Sequence, residues 1–401
     1  MEIIKGKKLK TILLDNNNWW SFFTQHRHLI RESIVSNIVK VLSCGTEFLG
    51  YHLYQCDNCH TLKAVNHTCK SRFCPSCGKK ATDNWIQAQT QILPQTNWQH
   101  ITFTFPQKLQ DLFWLNRNLL NATMPIPEKI ITEYAKKLGV IPGIFVAMHT
   151  FGRDLKKNLH YHLSTTLSGL SLDKTRWMSN FRFNRPALVI IKQQWTDAII
   201  SLLRQEYMAG NLILPNTMSQ ADFLNFIDTQ PSRPSWVVHF SKASNNHHRT
   251  VKYLGRYLKR PPIGETRIKH YDGQQVTFSY FDHHDKSEHS MTLPVFDFIK
   301  RLINHIPDRY FRVVRYYNWL STRTRNKYLP FIYNAVKQII KNTTYLSWRE
   351  LFTKTFGRDP LLCPCCKKNI MRLVQCVYKV NCEQLQTKHQ QVANLDNHCY
   401  A

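Results

Sequence analysis

Three histidines in one short stretch could hold a metal ion. Residues 143–166 read GIFVAMHTFGRDLKKNLHYHLSTT. The first part is apolar and strand-like, 153–158 is polar and turn-like, and 159–167 alternates with the period of a half-buried strand, so the stretch predicts a β-hairpin. Successive side chains on a strand point to opposite faces. His160 and His162 therefore project from one face, where two imidazoles can grip one ion. A third ligand is needed. His149 on the preceding strand is the first choice and Asp154 the alternative, since a shift of one residue in register decides which faces the pair. A bare His-x-His also describes ordinary surface or packing histidines.

A second constellation lies at 251–260, VKYLGRYLKR, just before Pro261 and Pro262. Its spacing is helical and the proline pair must end the helix, which puts Tyr253 and Tyr257 at i and i+4 on one face. Lys252, Arg256, Lys259 and Arg260 surround the two phenols with positive charge, which attracts a phosphodiester and favours phenolate. The competing reading is a tyrosine and leucine core stripe.

The strongest physical signal is in the cysteines. Cys56 and Cys59, then fourteen residues, then Cys74 and Cys77 give two knuckles with the spacing of a four-cysteine zinc site. Four thiolates close a tetrahedral shell, so this zinc is structural. Cys44, His52, His67 and Cys69 lie nearby and could serve a second zinc. Cys363 and Cys366 form another knuckle that Cys376 and Cys382 could complete. Lys70 and Arg72, with Lys63, Lys79 and Lys80, make the N-terminal module basic, as DNA docking or a solvated face would require.

These features sit in a chain of 401 residues with 54 Lys+Arg against 26 Asp+Glu, a formal charge of +28. Such an excess, spread along the chain, points to a polyanion and to salt-dependent binding. The 43% hydrophobic content and 22 phenylalanines exclude a disordered chain. Membrane binding is disfavoured, because no run approaches the roughly 20 apolar residues of a spanning helix. The first twenty residues lack the apolar core and cleavage site of a secretory signal, so a reducing cytoplasmic setting is expected, with the cysteines as metal ligands or buried thiols.

The elements that must position these residues follow in order. An amphipathic helix is predicted over 19–42, a strand over 99–105 between Pro94 and Pro106, and helix over 109–134 interrupted at Pro125 and Pro127. The histidine hairpin, a helix over 188–207, a strand over 235–240 and the tyrosine helix come next. Residues 276–281 read as a strand, and His283, His284 and His289 with Asp282 and Asp285 as a polar loop. Residues 294–353 read as basic and helical, with aromatics able to stack unpaired bases, and the tail beyond Asn381 as poorly ordered. This order gives an α+β fold around an antiparallel sheet, divided as 1–95, a zinc-binding module for DNA; 96–290, a catalytic domain; and 291–401, a basic helical region.

The blocks HTFGRDLKKNLHYH (149–162), YLGRYLKRPPI (253–263) followed by HYDGQQVTFSYFDH (270–283), and CKSRFCPSCGKK (69–80) resemble the two-tyrosine HUH transposases of rolling-circle insertion sequences, the IS91 type. The resemblance spans roughly residues 20 to 370. One departure is Asn158-Leu159 before the first histidine, where members often carry a proline; it lies outside the ligands. The resemblance implies the HUH variant of the ferredoxin-like arrangement, with the tyrosine helix lying across the histidine strands. It also implies metal-dependent nicking and rejoining of single-stranded transposon ends through a 5′-phosphotyrosine, with a second tyrosine for a second cleavage, by a bacterial protein working at the nucleoid. Imidazoles suit manganese, while an oxygen-rich remainder of the shell would accept magnesium. A replication initiator or relaxase would share the metal pair and a tyrosine but not the zinc module. A non-enzymatic zinc-dependent DNA-binding protein would need only the knuckles and the charge.

Overall fold

The histidine hairpin is the spine of the molecule. In a computed structural model that describes residues 8–179, 181–230, 236–244, 251, 255, 261–282, 285–339 and 346–378, strands Val140–Phe151 and Lys157–Ser171 pair antiparallel along nearly their whole length. The sheet they anchor runs in the order Val314–Tyr317, Val140–Phe151, Lys157–Ser171, Trp98–Thr104, Val238–Phe240, with Trp177–Met178 added to the far end of the second hairpin strand. Every pairing in it is antiparallel. The fold is therefore α+β, as the order of elements predicts.

Alternation along the strands sends two different sets of side chains to the two faces. Ile144, Val146, Met148, Leu159, Tyr161, Leu163, Ile101 and Phe103 go to one face, under helices Ile126–Lys137, Arg185–Met208 and Gln220–Thr229. The long helix Arg185–Met208 starts where it does because the Asn184 side chain accepts from the Ala187 amide at 2.9 Å and Pro186 occupies its first turn. It buries Trp195 against Phe103, Phe105 and Tyr161, and the Trp195 indole N–H donates to the Thr104 carbonyl at 3.0 Å. Each large apolar side chain so buried is worth about 1.5–3 kcal/mol. Phe145, Ala147 and Leu170 go to the other face, where they meet Trp98, Val251, Trp319, Leu329 and Ile332. Gly143 is required there, because a Cβ would stand 2.4 Å from the Trp319 ring.

A second core joins the start of the chain to residues 263–306. Helices Lys8–Leu14, Asn18–Gln25 and Glu32–Ser43 pack on the sheet Ile268–Tyr271, Gln275–Phe281, Glu288–Pro294 and on helix Val295–Ile303. The single helix predicted over 19–42 is two, separated by the turn Arg27–Leu29 and by extended backbone at Ile30. Both halves bury the same face, so periodicity alone cannot reveal the break. Residues 294–353 are likewise not helical throughout. Val314–Tyr317, rich in β-formers, is the edge strand of the central sheet, with Val314 opposite Ala147. The boundaries drawn at 95 and 290 do not follow these cores: the first core takes strands from either side of 290, and the second combines residues 9–42 with 263–306.

The two cores meet at the hairpin tip. Leu155 adopts a left-handed φ of 63°, which a branched residue takes only when its surroundings compel it, and its side chain is 1% exposed in the second core. His305 Nε2 donates to the Leu155 carbonyl at 2.9 Å, Arg301 to the Asp154 carbonyl at 3.3 Å, and Arg267 to the Arg153 carbonyl. What reads as a polar turn is thus an anchor. Leu155→Ala should cost about 2–5 kcal/mol and lower the melting temperature accordingly; a change within about 0.5 kcal/mol, the range of an ordinary surface substitution, would show that the tip is not held by this contact.

Candidate active site

The ladder places His149 directly opposite His160 and Ala147 opposite His162, so all three imidazoles leave one face of the hairpin. Their ring centroids stand 4.7–5.2 Å apart, and one nitrogen from each lies within 4.8 Å of the others. His149 and His162 are buried, while His160 is half-exposed at the rim. Asp154 is not among them: it sits in the turn, with its carboxylate accepting from the Lys156 amide at 3.1 Å.

Hydrogen bonds orient the rings. His160 Nδ1 donates to the Asn158 carbonyl at 2.7 Å, which leaves Nε2 as its acceptor nitrogen. His162 Nδ1 lies 3.0 Å from His100 Nε2, and His100 Nδ1 lies 3.1 Å from the Ser164 hydroxyl. If His100 donates to Ser164, it accepts from His162, and His162 too turns an acceptor Nε2 forward. The two Nε2 atoms then face each other at 3.0 Å. Two lone pairs at that distance repel unless a cation lies between them, and two ligands about 2.0–2.1 Å from one ion at right angles would be about 3 Å apart. Burial holds His100 down to about 3, His160 to about 4 and His162 well below its ordinary value, so these imidazoles are neutral at pH 7, the form in which His160 and His162 ligate. The donor set fits a divalent transition ion.

His100 is the residue that sequence reading missed. It lies on strand Trp98–Thr104, opposite Ser164. Only the register between distant strands brings it behind His162, and nothing local signals that.

The two tyrosines, with Lys252, Arg256, Lys259 and Arg260, lie outside the described residues. Three residues next to them in the chain are described. Val251 is buried beside Phe145 and Ala147, on the face of the sheet that carries His149 two residues further on. At Gly255 a Cβ would stand 2.2 Å from the Ile86 side chain of helix Pro75–Ile92. Pro261 in turn presses on Gly78 of the same helix, where a Cβ would meet it at 2.8 Å.

The cysteines group differently from the set expected from spacing. Cys44, Cys69, Cys74 and Cys77 form one cluster and Cys56, Cys59, Cys363 and Cys366 another. In the first, sulfur separations are 3.6 Å for Cys44–Cys77, 3.7 Å for Cys69–Cys77 and 3.8 Å for Cys44–Cys74. Four sulfurs about 2.3 Å from a tetrahedral centre lie about 3.8 Å apart, so the set fits zinc. Cys56 and Cys59 are not with Cys74 and Cys77 because the hairpin Tyr51–Gln55 and Leu62–Asn66 intervenes. The first pair is at its tip, while Gly45 bonds to His67 at its base, and five residues of strand span about 16 Å. His52, His67 and Cys376 belong to neither cluster, and Cys382 lies outside the described residues. Of the basic residues assigned to DNA here, Lys70 is exposed, while Arg72 is half-buried and desolvation draws it down to about 10.

His160→Ala or His162→Ala should abolish binding of the divalent ion at the hairpin, measured by calorimetry, with melting unchanged. His100→Phe, which keeps all three ligands, should weaken that binding about 10- to 100-fold. An unchanged affinity in the His100 variant would show that it does not orient His162.

Comparison with known proteins identifies the family. A family described as "Putative transposase" matches residues 143–328, and a "Transposase zinc-binding domain" matches residues 16–105. The chain is 36% identical to the "Transposase for insertion sequence element IS801" of Pseudomonas savastanoi pv. phaseolicola, over 88% of this chain and 86% of that one. It is 25% identical to the "Putative transposase y4qJ" of Sinorhizobium fredii (strain NBRC 101917 / NGR234), over 83% of this chain and 86% of that one. No solved structure matches. With the histidine hairpin and the cysteine module in the blocks these families cover, the chain belongs to the IS91-type transposases of insertion sequences.

Proposed function

We propose that this transposase is an HUH-type single-strand DNA endonuclease that nicks and rejoins transposon ends through a tyrosine, in rolling-circle transposition. The observation that carries the reading is the convergence of His149, His160 and His162 on the sheet face where Val251 is buried, with Gly255 packed on the neighbouring helix Pro75–Ile92. In the chain Tyr253 lies between those two residues and Tyr257 two beyond Gly255, which supports assigning the nucleophile to this segment.

A magnesium or manganese ion held by His149, His160 and His162 would polarise a non-bridging oxygen of the scissile phosphate and neutralise charge in the transition state. The chain's own work is positional and nucleophilic. The phenol oxygen of Tyr253 or Tyr257 attacks phosphorus in line, the P–O3′ bond breaks, and the phenol proton is lost as the 3′ oxygen leaves as a hydroxyl. One phosphoester bond replaces another, so no ATP is consumed. Lys252, Arg256, Lys259 and Arg260 would hold the phosphates of the bound strand. A second tyrosine lets a second strand be cut while the first link persists. The protein would act on DNA in the bacterial cytoplasm, at the nucleoid.

The test separates a nucleophile from a packing aromatic. Tyr253→Phe with Tyr257→Phe should bind single-stranded ends like the parent but leave no protein on DNA after denaturation, and each single variant should keep part of the reaction. An adduct in the double variant would overturn the assignment. A purely DNA-binding protein would leave no adduct even in the parent. Gly255→Val should also depress the adduct by pushing the tyrosine segment off Ile86, with metal binding at the histidines intact; full adduct formation would show that this packing does not position the nucleophile.

A further inference from the structure

We infer that Cys56, Cys59, Cys363 and Cys366 hold a second structural zinc ion that fastens the C-terminal part of the chain onto the N-terminal module. The site lies half outside the matched zinc-binding region, which ends at 105, and it stands whether or not the tyrosine chemistry proposed above is right.

Its geometry is that of a zinc shell assembled from two distant knuckles. Cys56 Sγ is 3.7 Å from Cys366 Sγ, and Cys59 Sγ is 3.5 Å from Cys363 Sγ. These separations suit a tetrahedral Zn–S4 shell, whose sulfurs lie about 3.8 Å apart. Cys56 and Cys363 are 0% and 1% exposed, and four thiolates fill a tetrahedral shell, which leaves no position for substrate. Each pair comes from a tight turn. The first closes with the His60 amide on the Cys56 carbonyl at 2.9 Å, and the second with the Lys367 amide on the Cys363 carbonyl at 3.1 Å. Binding displaces the thiol protons and involves no change of oxidation state.

The surrounding contacts all join the same two segments. Strand Arg372–Val377 pairs antiparallel with Tyr51–Gln55, completing a three-stranded sheet with Leu62–Asn66. Lys63 donates to the Pro360 carbonyl at 2.8 Å. Helix Trp348–Phe356 lies on helix Pro75–Ile92, where Lys79 donates to the Thr355 carbonyl at 2.5 Å and stands 5.2 Å above the Phe356 ring. The cysteine centre sits in a small cluster in which, among the described residues, Tyr54, Cys56, Cys363 and Met371 are buried. A small core of this kind is where a metal supplies the stability that packing cannot. The clamp therefore braces helix Pro75–Ile92, the helix against which Gly255 rests.

The test is the zinc content of the purified full-length protein together with limited proteolysis. The parent should carry two zinc ions per chain, and Cys363→Ser with Cys366→Ser should carry one while its C-terminal segment becomes sensitive to protease. Cys366→His, which restores a ligand, and Cys365→Ser, which changes an exposed neighbour, should both retain two. The cobalt-substituted parent should show thiolate-to-metal charge transfer about twice as intense as the double serine variant. Two zinc ions in the double variant, or one in the parent and an unchanged count in the variant, would overturn the shared site. If the serine variant does not fold, the same comparison between the parent and Cys366→His with cobalt decides it: an unaltered parental spectrum in Cys366→His would show that Cys366 is not a ligand.

Discussion

The pairing of His149 with His160 across the central hairpin is the constraint on which the rest of the site depends. A strand has a side-chain period of two, so one register brings three imidazoles to one face and a slip of one residue would send His149 into the core. The register is enforced from both ends. At the tip Leu155 is buried in a second core and its carbonyl is held by His305; along the strands Ile144, Val146, Leu159, Tyr161 and Leu163 must stay under the helices of the first. The apolar faces fix which way the histidines point, and His100 and Asn158 then fix how their rings turn.

Much of this was legible in the sequence because the signals are local. The hairpin, the strand between Pro94 and Pro106, the helix over 188–207 and the proline-interrupted helices over 109–134 each carry periodicity and breakers within a dozen or so residues. Alternation alone left His149 and Asp154 open to a one-residue shift, and it is the ladder that puts His149 opposite His160. What escaped was non-local. His100 reaches His162 through a strand register that no window contains. Val314–Tyr317 is four residues long in a basic, aromatic stretch, too short for its alternation to outweigh the surrounding helical spacing. The cysteine spacing was right for zinc and wrong for partners, because a Cys-x-x-Cys pair tells where half a site is and says nothing of which half completes it.

That last failure exposes how the chain is organised. Its C-terminal part returns to the beginning and middle: residues 295–303 share a core with the N-terminal helices, 314–317 edge the central sheet, and 363–377 complete the N-terminal hairpin and its cysteine cluster. Helix Pro75–Ile92 stands where these parts meet. It begins in one cysteine cluster, carries the Trp348–Phe356 helix, and offers Trp85 and Ile86 to Gly255. The zinc-binding part is thus more than an appendage: its helix packs against both Gly255 and Pro261.

The central claim is that a phenol from 253–257 becomes linked to DNA above the histidine centre. It is tested most directly by trapping the protein on a single-stranded oligonucleotide of the transposon end, digesting the complex and locating the 5′-phosphate by mass spectrometry. The account predicts phosphotyrosine at Tyr253 or Tyr257, formed only when a divalent ion is present and His160 and His162 are intact. A nucleotide attached to any other residue, or cleavage of the end with a free 5′-phosphate and no protein attached, would contradict it.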